Sequence, residues 1–399
     1  MTAESSRLAL SARYAFVSAG TFLTIGLYLP FWPLWLEGRG LTPGEIGILL
    51  AVSVWVRVPS GPLIGQLADL GGSPKYALVA AAASCLFVFT LFFLPGGFWQ
   101  LLVLQVLAAA ALSALMPLCE SLTMQAVRRH DLIYGRIRIW GSLTFIAAAF
   151  GGGALIAPEQ AGIVLWLLLA AFACATLASL ALPNEGRRSG PRRLQTRWRD
   201  LVGRRNLLLF LVAGAVLQAS HALFYGFSSL YWIASGHSPT AVGALWALGT
   251  GAEIVLFWVS APLVRRWSPA ALLLAAGFCG LLRWSLFALT TDFVPLALGQ
   301  LLHAGTFGLT HLAAMNMITD AAPPDRIASI QTFYSGVLGG LAMGAMMLLS
   351  GELYEWAGGQ AFFAMAAVSV GGALLALPLL SRNPRKRNDD ADGTGFSQP

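Results

Sequence analysis

Twelve apolar segments, each long enough to cross a lipid bilayer as a helix, follow one another along the chain of 399 residues. A helix needs about 20 apolar residues to span the hydrocarbon core, where only helices and closed barrels satisfy the backbone. With 57% hydrophobic and 11% charged residues, the chain carries more apolar surface than a soluble core can use. We therefore predict an all-α polytopic membrane protein with twelve transmembrane helices. The segments cover residues 13–36, 45–68, 75–95, 98–127, 134–157, 162–182, 206–234, 239–265, 269–290, 293–319, 326–350 and 355–381.

Basic residues collect in every second loop, which fixes the expected orientation. If the N-terminus is cytoplasmic, the outer loops hold Arg39 as their only lysine or arginine. This positive-inside pattern predicts a multi-pass protein of the cell's inner membrane with both termini in the cytoplasm. The net charge of +7 is therefore explained by the basic residues of the cytoplasmic loops, and we expect no nucleic-acid partner. The inner loops contain Lys75, Arg128, Arg129, Arg136, Arg265, Arg266 and Arg326.

The longest loop divides the twelve segments into six and six. It is rich in arginine, so we expect a solvated linker that fixes topology, with contact to anionic lipid heads as the alternative. Residues beyond 381 are polar and are predicted to be disordered. The predicted organisation is an N-terminal six-helix half at 1–182, a cytoplasmic basic linker at 183–205, a C-terminal six-helix half at 206–381, and a disordered cytoplasmic tail at 382–399.

The two halves repeat each other. Thr42-Pro-Gly-Glu-Ile-Gly47 opens the second segment and Ser238-Pro-Thr-Ala-Val-Gly243 opens the eighth, so the offset is 238 − 42 = 196 residues. Each has a hydroxyl N-cap followed by proline at the first helical position. Such a repeat is typical of the major facilitator architecture. The same offset makes Arg57 and Glu253 equivalent, each about 20 Å into its helix and so near mid-membrane.

An acid and an arginine flank the short connection between the fourth and fifth segments. Glu120 and Arg138 lie 18 residues apart on helices that should be antiparallel neighbours, at similar depth. A charge leading into a membrane helix is costly unless it is paired or solvated. The pair is therefore either part of a solute pathway or a structural pair at the cytoplasmic edge.

Ionisable residues also interrupt the apolar runs of the second half. His221, Glu253, Arg283 and His303 fall within predicted helices, and Tyr225 follows His221 by four residues on the same face. Buried ionisable groups in lipid are functional candidates. The alternative is that the histidines only pack against neighbouring helices and that Arg283 only neutralises an acid. Burying a lone carboxylate costs several kcal/mol, which argues for a role of Glu253.

The connection after the second segment resembles the conserved loop of the major facilitator superfamily. Gly65, Asp69 and Gly72 are followed by the basic residue Lys75, although Leu70 replaces the basic residue usual after the aspartate. The resemblance implies a conformational latch on the inner face, with Asp69 as its key acid.

Several motifs together resemble the 3-phenylpropionic acid permease family, a branch of the major facilitator superfamily. The resemblance excludes only the 183–205 loop and the two tails. It implies proton-coupled uptake of an aromatic carboxylate, with protons, a small organic acid and membrane lipids as partners. The motifs are Tyr134-Gly-Arg-Ile-Arg-Ile-Trp-Gly-Ser, Gln218-Ala-Ser-His-Ala-Leu-Phe-Tyr-Gly-Phe, Ala252-Glu253, Leu282-Arg283-Trp284 and His303-Ala-Gly-Thr-Phe-Gly-Leu-Thr-His-Leu-Ala-Ala-Met.

There is also a more distant similarity to lactose permease. Its acid–arginine pair, which holds sugar, corresponds to Glu120 and Arg138, and its stacking aromatic corresponds to Phe145. Its proton-carrying acid, three residues after the histidine, is replaced here by Thr306. This leaves Glu253 as the first candidate for the proton carrier and Glu120 as the second.

We expect an alternating-access importer of a small aromatic carboxylate such as 3-phenylpropionate, using the proton gradient and no cofactor or metal. Arg57, His221, Arg283 and His303 are candidates to bind the carboxylate. The alternative is a proton-coupled sugar or nucleoside symporter that uses Glu120 and Arg138. An enzyme or sensor is disfavoured because the sequence has no metal-spaced histidines, nucleotide loop or nucleophile constellation. We expect a monomer.

Overall fold

The computed structural model describes residues 3–70, 73–157, 160–184, 205–321 and 327–382, and within these ranges the only regular structure is helical. The predicted linker is described only at residues 183, 184 and 205, and the tail only at residue 382, so the domain boundaries stay predictions. Gly72 and Arg326 also lie outside the described residues. Gly65 and Asp69 fall in the last turns of the second helix, whose side chains there are not described.

The first half contains six long helices. In chain order they are α1 (Ala3–Gly38), α2 (Pro43–Leu70), α3 (Pro74–Leu91), α4 (Phe98–His130), α5 (Tyr134–Leu155) and α6 (Ile163–Leu180). Three of them, α1, α2 and α4, are longer than the apolar pattern predicts. The α4 helix continues to His130 because Arg128, Arg129 and His130 occupy its last turn, where cations interact favourably with the helix dipole.

Shorter pieces make up the second half. They are α7 (Arg205–Ala219), α8 (Ala222–Ala234), α9 (Pro239–Trp258), α10 (Ser260–Arg266), α11 (Pro269–Leu289), α12 (Phe293–Leu301), α13 (Leu309–Ala321), α14 (Ile327–Thr332), α15 (Gly339–Ala357) and α16 (Phe362–Ala376). Two π-helices, Ala304–Gly308 and Phe333–Leu338, join α12 to α13 and α14 to α15. Two 3₁₀ segments, Gly358–Ala361 and Leu377–Arg382, flank α16.

Among the described residues, ten helical stretches are long and apolar enough to cross a membrane. One of them, Ile330–Leu380, spans 51 residues and contains both α15 and α16. The segment from Phe293 to Ala321 is divided by a π-helix, so neither of its α-helices reaches the spanning length alone. The predicted helical membrane fold is confirmed, and the predicted number of twelve fits approximately.

The two equivalent helix starts form as the sequence repeat predicts. Helix α2 begins at Pro43, where Thr42 and Glu45 form a capping box: the Glu45 N–H donates to Thr42 Oγ1 at 3.3 Å, and the Thr42 N–H donates to Glu45 Oε2 at 2.9 Å. Helix α9 begins at Pro239, and Ser238 Oγ accepts from the Ala241 N–H at 3.2 Å.

The glycine of each repeat lies where the two halves touch. A Cβ on Gly47 would lie 2.9 Å from Gly351 Cα on α15, and a Cβ on Gly243 would collide with the Ala149 carbonyl of α5. Only glycine permits backbones to approach this closely. The halves are therefore held together at the same end of α2 and α9, and cavities lie further along these helices.

Candidate functional site

A cavity of about 570 Å³ lies between the two halves. Helices α1, α4 and α5 form one wall; α8, α9, α12 and the first π-helix form the other. Its lining is largely apolar, with few polar groups, as is usual for small-molecule sites. Of the residues singled out from the sequence, this first cavity brings together Arg138, Phe145, Tyr225, Glu253 and His303.

Glu253 and His303 form the central polar contact of the first cavity. The distance from His303 Nε2 to Glu253 Oε2 is 3.6 Å, and the Glu253 side chain is 22% exposed. Arg283 Nη1 donates to His303 Nδ1 at 3.0 Å. Because guanidinium only donates, His303 Nδ1 must accept, and the ring proton then lies on Nε2, facing Glu253. A second proton on His303 would break its contact with Arg283.

Arg283 lies behind the cavity wall rather than in it. Its side chain is fully buried on α11, where Nη2 donates to Gln300 Oε1 at 2.7 Å and Nη1 donates to Thr306 Oγ1 at 3.0 Å. The guanidinium carbon lies 4.6 Å from the ring centroid of Phe224 and 4.4 Å from that of Trp284. Hydrogen bonds and ring faces both offset the cost of a buried cation.

His221 is also buried and lines neither of the two cavities between the halves. It lies at the break between α7 and α8, with Nε2 at 2.9 Å from Thr306 Oγ1 and Nδ1 at 3.1 Å from the Gln218 carbonyl. Its ring stacks on Tyr225 at a centroid distance of 5.7 Å. The apolar pattern treats this segment as continuous, so the break was not predicted. The arrangement makes His221 a support for Tyr225 and Thr306.

The predicted pair of Glu120 and Arg138 forms in the structure. Arg138 Nε lies 3.2 Å from Glu120 Oε1, and the Tyr134 hydroxyl donates to Glu120 Oε2 at 2.9 Å. The Arg138 guanidinium carbon also lies 4.1 Å from the centroid of the Phe22 ring. Arg138 lines the first cavity, whereas Glu120 is not among its described lining residues.

A second cavity of about 480 Å³ lies beside the first. Arg57 and His311 line it, together with residues of α1, α2, α7, α8 and α15. Leu29, Tyr225 and Phe307 line both cavities and so form the wall between them. The equivalence of Arg57 and Glu253 therefore places them in two neighbouring cavities, not in one ion pair.

Three residues of these networks were missed by the sequence analysis as site residues. Gln300 and Thr306 are the hydrogen-bond partners of Arg283, and Gln105 is a fully buried amide that joins α4 to α1 and α2. The available signal was weak: an uncharged polar residue within an apolar run, which is common in membrane helices. Within the described ranges, no group of three or more His, Cys, Asp and Glu side chains is arranged to hold a metal ion.

The chain is similar to known transporters over nearly its whole length. The sequence profile of the MFS_1 like family matches residues 8–365. The probable 3-phenylpropionic acid transporter of Escherichia coli (strain K12) is 34% identical over 369 residues, covering 91% of this chain and 94% of that protein. The maltose permease of Geobacillus stearothermophilus is 25% identical over 363 residues, covering 90% and 92%.

Solved structures of transporters share the fold. The nucleoside transporter NupG superposes with a TM-score of 0.83 at 16% sequence identity, covering 92% of this chain and 98% of that one. A bacterial homologue of the human lysosomal transporter Spinster, in an inward-facing and occupied conformation, gives a TM-score of 0.69 at 14% identity, covering 95% and 98%. The relatives and the fold are those of membrane transporters, not of enzymes.

Proposed function

The chain belongs to the MFS_1-like family of multi-span membrane transporters, and we propose that it imports a small aromatic carboxylate such as 3-phenylpropionate together with a proton. The substrate class is supported by the relative that is 34% identical over most of both chains. We further propose that it acts as a monomer in the bacterial inner membrane with both termini in the cytoplasm, as the distribution of basic residues favours.

The observation that carries the proton coupling is Glu253 in the first cavity. It is a carboxylate within a largely apolar space between the halves, 3.6 Å from a histidine whose other nitrogen is already held by Arg283. A carboxylate binds a proton more readily in an apolar site and less readily when a hydrogen-bond donor such as the His303 Nε2–H lies close to its charged form. Rearrangement of the contact with His303 during alternating access would therefore load and release a proton at Glu253.

The decisive experiment is uptake of radiolabelled 3-phenylpropionate into proteoliposomes with an imposed inward proton gradient. The wild-type protein should accumulate substrate above equilibrium, and the Glu253→Gln variant should only equilibrate it. Glu352→Gln, which removes an exposed acid at the far end of α15, is the matched control and should accumulate normally. Accumulation by Glu253→Gln at the wild-type level would exclude Glu253 as the proton carrier.

A second candidate function is symport of a nucleoside or sugar. The observation that favours it is the pair of Arg138 and Glu120 at 3.2 Å, with Arg138 in the first cavity. The similarity to a maltose permease points the same way. A bidentate site for a neutral polyol depends on the arginine fork, so Arg138→Lys should abolish such transport. Competition of labelled uptake by uridine or maltose, but not by aromatic acids, would favour this function.

A further inference from the structure

Among the described residues that line it, the second cavity contains positive charge and no carboxylate. Arg57 and His311 line it, whereas the first cavity contains Glu253. The second cavity therefore attracts an anionic ligand. The first cavity holds charges of both signs, because Arg138 lines it together with Glu253.

Arg57 has its guanidinium available for a ligand. In the described part of the chain, no hydrogen bond or ion pair joins Arg57 to another residue, and its side chain is exposed along the cavity. Arg138 and Arg283, in contrast, are engaged by Glu120 and by Gln300, respectively. An arginine halfway along a membrane helix is stabilised when an anion or water meets it.

The α1 part of the second cavity's wall is aromatic and is held in place by a buried glutamine. Buried Gln105 accepts from Trp32 Nε1 at 3.1 Å and donates to the Tyr28 hydroxyl at 2.8 Å and to Ser53 Oγ at 2.7 Å. All three of these partners line the second cavity, and the Tyr28 and Trp32 rings stack at 5.7 Å. The cavity thus offers a cation together with the partly exposed aromatic side chains of Tyr225 and Phe307.

Resting on the proposed function, we propose that the second cavity is the substrate site, in which Arg57 binds the carboxylate of the aromatic acid and the partly exposed Tyr225 and Phe307 contact its ring. The first cavity, with Glu253, is then the proton site. The wall between them provides the coupling, because Phe307 faces both and its ring stacks on His303 at 5.5 Å. A ligand that displaces Phe307 disturbs the histidine that contacts Glu253.

The test compares an acid with its neutral isostere. Binding of 3-phenylpropionate and 3-phenylpropionamide to the purified full-length protein is measured by titration calorimetry. The wild type should prefer the acid by about 10- to 100-fold, the usual range for a charge-assisted pair. Arg57→Gln should remove this preference, Arg57→Lys should retain part of it, and the control Arg136→Gln, at an exposed arginine outside both cavities, should retain it fully.

A second pair of variants tests the cavity itself. Gly336 lines the second cavity and a Cβ there meets no atom within 4 Å, so Gly336→Leu should fill the space without disturbing the backbone. Gly371 also has no neighbour within 4 Å and lines neither cavity, so Gly371→Leu is the control. Gly336→Leu should lose binding of both acid and amide, and Gly371→Leu should bind both normally.

The outcomes distinguish a failure of this proposed site from a failure of the proposed function. If Arg57→Gln keeps the preference for the acid while Arg138→Gln loses it, the substrate site lies in the first cavity, and aromatic-acid transport still stands. If the wild type binds neither probe, both proposals are rejected. Size-exclusion profiles and melting temperatures establish that the variants fold; if Arg57→Gln does not, Arg57→Lys and Gly336→Leu decide the matter.

Discussion

Arg283 is a buried cation that is held by neutral groups. Within the described residues, its hydrogen bonds go to Gln300, His303 and Thr306, and no carboxylate contacts it directly. Glu253 is reached only through His303. The role of Arg283 is therefore to fix the tautomer and position of His303, which requires the two separate nitrogens of a guanidinium.

Replacement of Arg283 by lysine should lower stability and uncouple transport. A single ammonium cannot reach Gln300 on one side and His303 and Thr306 on the other, so at least one buried acceptor loses its partner, at a cost of about 1.5–3 kcal/mol. The melting temperature of the detergent-solubilised protein measures this loss. The partly exposed Arg138 serves as control, because its lysine variant should change stability by less than about 1 kcal/mol. Equal effects of the two substitutions would contradict the positioning role.

At the residue scale, the sequence predicts charged residues well and their partners poorly. A charge within an apolar run is conspicuous, so Arg57, Glu253, Arg283 and His303 could all be found without a structure. Their pairing depends on which neighbouring helices face each other. The spacing of 18 residues across one short turn settles this for Glu120 and Arg138, whereas Gln300 looks like any polar residue in a membrane helix.

At the scale of elements, two pairs of helices make the most extensive contacts between the halves. Helix α2 meets α15 at Gly47 and Gly351, and α9 meets α5 at Gly243. The sequence repeat predicts both helix starts, because a cap and a proline have local signatures. It does not predict the two π-helices of the second half, since each lies inside a segment that the sequence pattern treats as one continuous helix.

Replacement of Gly351 by valine should block transport by separating α2 from α15. A Cβ at this position would lie 2.7 Å from the Pro43 carbonyl oxygen and 3.0 Å from Gly47 Cα, both of which are backbone atoms that cannot rotate away. Overpacking of this kind costs about 1–3 kcal/mol. It destabilises the conformation in which α2 and α15 are in contact. Initial uptake rates in proteoliposomes should fall by about 5- to 150-fold.

The control for Gly351→Val is Gly371→Val, because the position has open space around it and lies on the helical element α16. Both substitutions place a β-branched residue in a helix, so their propensity costs are similar. Transport by Gly351→Val at the rate of the control would show that the close approach of α2 and α15 is not needed for function.

At the scale of the whole molecule, one charged contact joins the halves beside these glycines. Glu355, at the end of α15, accepts a hydrogen bond from the Gly44 N–H at 3.0 Å through Oε2. This N–H belongs to the first turn of α2, where the helix dipole favours negative charge. The contact spans 355 − 44 = 311 residues of sequence and could not be predicted from either helix alone.

Replacement of Glu355 by glutamine should shift the molecule toward the conformation in which the start of α2 has separated from the end of α15. The neutral acceptor forms a hydrogen bond that is about 1 kcal/mol weaker, so the ratio of open to closed molecules should rise about five-fold. Glu352 lies beside Gly44 without a hydrogen bond to its N–H, so Glu352→Gln removes the same charge without this effect.

The readout is the labelling rate of Ser335→Cys, in the second cavity, by an impermeant maleimide outside sealed vesicles, with the four native cysteines replaced. Under the proposed topology this end faces outward, so Glu355→Gln alone should label faster; equal rates in both variants would mean that the contact does not control access.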